Sequence, residues 1–224
     1  MIKKILLFCC VGVFGLANDF STAFKKYEEK NYQEAFEIFS ALCEKNNAKA
    51  CFSLALMYEN AYGVKQDMQK AKAHYNFACN KGISSACFNL ALLQDGKREI
   101  KLFHKKACDL AHTQACNALA SLYEEEKDGE MALYFYEKSC KLKDSFACYK
   151  LANLNEQGLI VRQNLKLALS YYKKSCQFDF LESCYILGRY YQIKEKDDKL
   201  AKRYLGKACD GSHTQACAAY RLLN

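Results

Sequence analysis

The sequence predicts an all-α protein, a right-handed α-solenoid of helix-turn-helix repeats with one disulfide at each repeat junction. Three observations carry this. The 224-residue chain holds 14 Cys, and twelve of them form the C-x7-C pairs 43/51, 79/87, 108/116, 140/148, 176/184 and 209/217. The first members of the pairs lie 36, 29, 32, 36 and 33 residues apart, which is the period of a repeat array. The chain also contains no Pro, so the commonest helix breaker is missing throughout.

Composition agrees. Hydrophobic residues make up 51% and charged residues 26%, enough apolar material for a core and too much for disorder. With 10 Gly and no Pro, collagen-like and low-complexity classes are excluded. There is no Trp, so 16 Tyr and 14 Phe supply the bulk of the interior.

Residues 1–17, MIKKILLFCCVGVFGLA, read as a secretory signal peptide. Lys3 and Lys4 form the basic start, Ile5 to Leu16 the apolar run, and Gly15 and Ala17 the small residues before a cut after Ala17. The run is shorter than the ~20 apolar residues of a membrane span. The bulky Phe8 disfavours a lipoprotein anchor at Cys9. Removing the leader takes Cys9, Cys10 and two Lys, so the net charge falls from +8 to +6. Twelve Cys in an exported chain is the setting for disulfides, and the expected location is secreted or periplasmic. Acids and bases are interleaved and no nucleic-acid motif occurs, so no nucleic-acid partner and no membrane span are expected.

The expected mature domain is a single solenoid, 18–224, in units of about 19–46, 47–82, 83–111, 112–143, 144–179 and 180–211, closed by a cap helix at 212–224. Eight residues before each first Cys stand Ala35, Ala71, Ile100, Ala132, Ala168 and Ala201; four before stand Phe39, Tyr75, His104, Tyr136, Tyr172 and Leu205. Small and large residues at helical spacing define helix B of the unit. Three residues after each second Cys stand Leu54, Leu90, Leu119, Leu151, Leu187 and Tyr220, followed by Ala55, Ala91, Ala120, Ala152, Gly188 and Arg221. These define helix A. Arg221 departs from the small-residue rule because the cap has no helix after it.

Eight residues along a straight helix rise about 12 Å, whereas a disulfide needs Cα atoms within roughly 7 Å. If the pairs Cys43–Cys51, Cys79–Cys87, Cys108–Cys116, Cys140–Cys148, Cys176–Cys184 and Cys209–Cys217 close on themselves, the chain must turn between them. Lys45-Asn46-Asn47, Lys81-Gly82 and Lys143-Asp144-Ser145 fit such turns. Each bridge then ties helix B to the next helix A and contributes about 2–3 kcal/mol. The A-to-B links vary in length, with Asp67 and Asn164 expected as N-caps after the two longest.

Residues 50–78, with Ala-x3-Leu-Ala-x2-Tyr, then Gly-Val-x2-Asp, then Ala-x3-Tyr-x2-Ala, resemble the Sel1-like repeat, a relative of the tetratricopeptide repeat. With C-x7-C at every junction behind a signal peptide, the chain is similar to the Helicobacter cysteine-rich protein family over about residues 19–224. That resemblance implies a secreted protein that engages a host, and penicillin binding with slow β-lactamase activity, hence β-lactams among the ligands.

The residues themselves carry no such motif. Ser170-Tyr-Tyr-Lys173 is the single Ser-x2-Lys, which chance supplies in a Lys-rich chain, and the Ser-Asp-Asn and Lys-Thr-Gly elements are missing. Ser170 and Lys173 are therefore candidates by pattern alone, and the catalytic residues are otherwise unknown. The four His fall in different helices, so no metal and no cofactor are expected. His104 stands in the core-aromatic slot, and His112 and His213 recur in His-Thr-Gln-Ala-Cys, a structural register.

Repeat arrays present a surface lined by helix A. By analogy with tetratricopeptide repeats, the groove takes residues two before and two after the helix-A Leu. The first row is Phe52, Phe88, Asn117, Tyr149 and Tyr185; the second is Leu56, Leu92, Ser121, Asn153 and Arg189. Asn117, Asn153 and Arg189 are favoured for contacts because polar side chains are not needed for packing. The expected function is a binding scaffold for a peptide, a protein or a peptidoglycan-like cell-wall fragment.

Overall fold

The computed structural model describes residues 19–223, so the expected leader at residues 1–17 lies outside the described residues. The chain divides into two compact units at Lys81/Gly82. The first holds α1 (Phe20–Glu28), α2 (Tyr32–Glu44), α3 (Ala48–Asn60) and α4 (Met68–Asn80). The second holds α5 (Ser84–Leu92), α6 (Lys97–Asp109), α7 (Thr113–Glu125), α8 (Gly129–Lys141), α9 (Ser145–Gln157), α10 (Leu165–Gln177), α11 (Leu181–Tyr190), α12 (Asp198–Asp210) and α13 (Thr214–Arg221). Thirteen α-helices fall among the described residues, and within each unit consecutive helices pack on one another.

The repeat positions become the interior. Ala35, Ala71, Ala132, Ala168 and Ala201 have no exposed surface, and Phe39, Tyr75, Tyr136, Tyr172 and Leu205 are at most 1% exposed. Facing them, Leu54, Leu90, Leu119, Leu151 and Leu187 are buried, as are the Ala and Gly188 that follow. Small residues let the helix axes approach, and the ring fills the space alongside.

The B-to-A junctions share one backbone solution. Three residues after the first Cys, Asn46, Gly82, Ala111, Lys143, Asp179 and Ser212 all have positive φ. In the second unit, Ala111 N donates to the Cys108 carbonyl and His112 N to that of Ala107; Lys143 and Asp144, Asp179 and Phe180, and Ser212 and His213 repeat the pair. This is the Schellman stop, and the next residue is already the N-cap of the following helix. Over the same turn lie the bridges Cys43–Cys51, Cys108–Cys116, Cys140–Cys148, Cys176–Cys184 and Cys209–Cys217, with Cα–Cα distances of 4.5–4.8 Å. Cys79 and Cys87 are disulfide-bonded as well. A left-handed residue other than Gly costs about 1–2 kcal/mol, which a bridge closing a short loop offsets with about 2–3 kcal/mol.

Four of the six A-to-B links differ in length but keep one hydrogen bond. The N-cap N–H of Asp67, Asp128, Asn164 and Asp197 donates to the carbonyl of Tyr58, Tyr123, Asn155 and Tyr191, respectively. Asp67 and Asn164 cap α4 and α10 with their side chains. α11 ends in a π-helical turn, Tyr191–Glu195. The widened turn leaves the Tyr191 carbonyl facing Asp197 N at 2.9 Å, so the common bond survives a link of different length. No helix among the described residues is long and apolar enough to cross a membrane.

Candidate functional site

The first row of helix-A residues is half-buried and engaged with neighbouring structure. In the first unit, the Phe52 ring lies 5.8 Å from Tyr75. In the second, each member touches the N-cap residue of the next A helix. Phe88 stacks on His112 at 4.6 Å, Asn117 Nδ2 donates to Asp144 Oδ1 at 3.1 Å, Tyr149 packs on Phe180 at 4.8 Å, and Tyr185 stacks on His213 at 4.9 Å. The row is a ladder that fixes one repeat to the next.

The second row divides by chemistry. Leu92 is 62% exposed. Ser121 Oγ lies 2.9 Å from the Tyr136 hydroxyl, Asn153 Oδ1 accepts from Tyr172 at 3.0 Å, and Arg189 donates to Gln192 Oε1 at 2.6 Å. Asn117, Asn153 and Arg189, favoured from sequence as ligand contacts, thus each hold an internal partner. For Asn153 and Asn117 the reason is physical: a buried phenol or a cap residue needs a polar partner. Glu59, Glu124 and Glu156 complete the pattern by accepting from Tyr75, Tyr136 and Tyr172. Burial first, and then the bond to the anion in Tyr172, push the pKa of Tyr136 and Tyr172 well above the ordinary phenol value. Tyr171, half-buried and bonded to Glu137, is pushed up to about 12.

Three clefts matter. In the first unit, Phe52 and Leu56 of α3 meet Phe20 and Phe24 of α1 around an apolar cleft of about 160 Å³. A second cleft of that unit, about 380 Å³, is lined by Ser40, Cys43, Glu44, Tyr58, His74 and Phe77. In the second unit, Ser170, Lys173 and Tyr190 share a shallow cleft of about 490 Å³ with Leu165 and Leu169.

The Ser170 hydroxyl is turned onto its own helix, donating to the Leu167 carbonyl at 2.7 Å. Lys173 Nζ sits over the Tyr191 ring, 5.7 Å from its centroid. Its pKa is raised, chiefly by a hydrogen bond to Tyr191. A lysine that activates a serine must release its proton near neutrality, so this shift runs the wrong way for a general base.

The histidines are structural at three of four positions. His104 is 3% exposed in the ring slot, where burial lowers its pKa. Nδ1 of His112 and of His213 accepts from Ala115 N and Ala216 N, which caps α7 and α13. His74 is different. Its Nδ1 lies 3.7 Å from Cys43 Sγ, a proximity hidden in the sequence because the two are 31 residues apart.

Paired helices, small-residue contacts and a fixed junction define a helical-repeat protein of the Sel1-like class. The chain belongs to the Sel1 repeat family, whose pattern matches residues 26–47, 48–83, 113–144, 145–177 and 181–213. Among solved structures it is similar to a Sel1 repeat protein from Oxalobacter formigenes, with 20% identity, 87% of this chain and 89% of that one covered, and a TM-score of 0.67. It is also similar to a protective antigen of uropathogenic Escherichia coli with an SLR fold, with 24% identity, 83% of this chain and 43% of that one covered, and a TM-score of 0.66. Helicobacter pylori cysteine rich protein B is 30% identical over 55% of this chain and 97% of its own, with a TM-score of 0.44. No curated protein matches the chain.

Proposed function

We propose that this protein is an exported, disulfide-stapled binding scaffold that takes an apolar side chain of a peptide or protein segment into the α1–α3 cleft. One observation carries the reading: Phe52 and Leu56, assigned to the groove from repeat register, converge with Phe20 and Phe24 on one apolar cleft. Phe24 is 46% exposed, so an aromatic wall faces solvent there. A concave apolar site with rigid aromatic walls suits an anchor side chain of a partner. The bridges support export, since such bonds persist in oxidising compartments.

The test is selection of random peptides on the purified protein. Peptides with a shared aromatic or aliphatic anchor should be enriched, should lose binding to Leu56→Asp, and should keep binding to Leu159→Asp, a position 80% exposed in the second unit. Selection of no anchor, or binding indifferent to Leu56→Asp, would reject the cleft. A cell-wall fragment is the alternative ligand, recognised by binding of soluble peptidoglycan pieces with the same sensitivity.

A second reading, slow β-lactam hydrolysis, has one favourable observation: Ser170, Lys173 and Tyr190 line one cleft. The engaged Ser170 hydroxyl and the protonated Lys173 count against it.

A further inference from the structure

Five residues before the first Cys of each pair, the repeat reads Ile38, His74, Phe103, Phe135, Tyr171 and Tyr204. At two of its four places in the second unit this slot holds a ring stacked on the Tyr four residues after the buried Leu of the preceding helix. Phe135 lies on Tyr123 at 5.7 Å and 6°, and Tyr204 on Tyr191 at 5.6 Å and 7°. In the first unit His74 makes the same stack on Tyr58, at 5.7 Å and 6°. The packing role is satisfied by a plain aromatic ring, and here alone in the slot a ring with a ligating nitrogen replaces it. That nitrogen is directed at a bridge: Nδ1 lies 3.7 Å from Cys43 Sγ. The ligating atoms of Cys43, Cys51 and His74 all fall within 4.8 Å of one another.

The bridge is also reachable. Cys43 is half-buried and, with His74, lines the cleft of about 380 Å³. By contrast Cys108, Cys140 and Cys176 are at most 5% exposed, and Cys209–Cys217, half-buried at both ends, follows Tyr204 in the slot rather than a ring with a ligating nitrogen.

We propose that reduction of Cys43–Cys51 by a dithiol converts this cleft into a thiolate–imidazole site for a thiophilic divalent cation of the zinc class. Cys43 Sγ, Cys51 Sγ and His74 Nδ1 are the ligands, and the fourth position faces the cleft. The chemistry balances. The dithiol gives two electrons and two protons to the S–S bond and is itself oxidised to a disulfide, leaving two protein thiols. The cation then displaces both thiol protons, which go to solvent, and bonds to two thiolates and the neutral imidazole. Tetrahedral zinc with usual bond lengths separates its S and N ligands by roughly 3.5–3.8 Å, and the S–N spacing already present is 3.7 Å. Opening the sulfurs to that range needs only side-chain rotation, since the Cα atoms stand 4.8 Å apart on two helix ends held by the Schellman turn. Three protein ligands and one open position are the arrangement of zinc sites that bind an exchangeable fourth ligand.

The experiment uses the full mature chain. Partial reduction with a phosphine, followed by differential alkylation and mass spectrometry, should show Cys43 and Cys51 labelled before the buried pairs Cys108–Cys116, Cys140–Cys148 and Cys176–Cys184. Cobalt(II) added to that partly reduced protein should give thiolate charge-transfer bands and the intense visible bands of a tetrahedral ion at one equivalent, competed away by zinc. His74→Phe installs the ring that the slot holds at Phe135, so folding and the bridge should be kept. It should weaken cobalt binding by at least about tenfold and alter the visible bands, because one of three ligands is gone. The proposal is overturned if Cys43 and Cys51 resist reduction until those buried pairs have opened. Equal cobalt affinity and spectra in wild type and His74→Phe would overturn it too. A His74→Gln variant with the spectrum of wild type would do the same.

Discussion

The Tyr172 hydroxyl donates to the Glu156 carboxylate at 2.5 Å from a ring that is 1% exposed. Tyr75 with Glu59 and Tyr136 with Glu124 repeat the pairing at 2.5 and 3.0 Å. Burial and then the hydrogen bond to the anion raise the Tyr172 pKa. The unfolded chain therefore ionises first, near pH ~10. The contribution to stability is complete below that pH and is lost as pH rises toward the folded value. Tyr172→Phe should cost about 1–2 kcal/mol at neutral pH and reduce the loss of stability above pH ~10. Denaturant melts at the two pH values measure both effects.

His112 caps α7 through Nδ1, which accepts a hydrogen bond only while unprotonated. Burial holds its pKa below the ordinary imidazole value. A depressed value means the contribution is present above the unfolded pKa of ~6.5 and is lost as pH falls through the folded value. Asn47 fills the same position before α3 and caps it. His112→Asn should hold stability within about 1 kcal/mol at neutral pH, keeping the cap and losing the stack on Phe88. It should remove part of the acid-side loss, read as a smaller fall in melting temperature on acidification.

Lys143 carries φ of 67° at its junction and is exposed. Gly adopts this conformation without the Cβ penalty, as Gly82 does at the equivalent turn. Lys143→Gly should therefore stabilise the chain by about 0.5–1 kcal/mol. An unchanged or lower denaturation midpoint would contradict the reading of the turn.

Gly188 takes the place that Ala holds in four other repeats. A Cβ there would stand 2.5 Å from Leu205 Cγ and 3.0 Å from the Leu205 backbone nitrogen. Leu205 fills the slot of a flat ring with a branched side chain, and the facing helix has given up a methyl to admit it. Gly188→Ala should cost about 1–3 kcal/mol through overpacking, measured by thermal unfolding.

Incubation with a chromogenic cephalosporin should give no saturable turnover and no mass adduct on Ser170. Turnover retained through repurification and abolished in Ser170→Ala would reinstate the hydrolase reading.

Much of this fold was legible because its information is local and repeated. The Cys spacing marks each turn, and Ala35 with Phe39, or Ala168 with Tyr172, marks each helix interface. The candidate site was harder. Asn153 and Ser121 looked free for a ligand because nothing in a one-dimensional pattern says that a tyrosine hydroxyl ends beside them. His112 and His213 looked structural from their register, but the cap bond itself needs the Schellman turn that precedes it. His74 was separable by one signal, its place in a slot otherwise filled by Ile, Phe and Tyr. Its nearness to Cys43 came only from packing α4 beside α2 and α3. The π turn after Tyr191 left no mark in the sequence.

Every B-to-A link spans three residues, 45–47, 81–83, 110–112, 142–144, 178–180 and 211–213, whereas the A-to-B links run from two residues at 196–197, after the π turn, to seven at 61–67 and 158–164. The covalent staple thus lies on one kind of corner and all freedom of length on the other. Foreign sequence such as an epitope, a protease site or a fluorophore tag has a natural port at 158–164, where Leu159 is 80% exposed. The same insertion between paired cysteines would have to break the turn that aligns them.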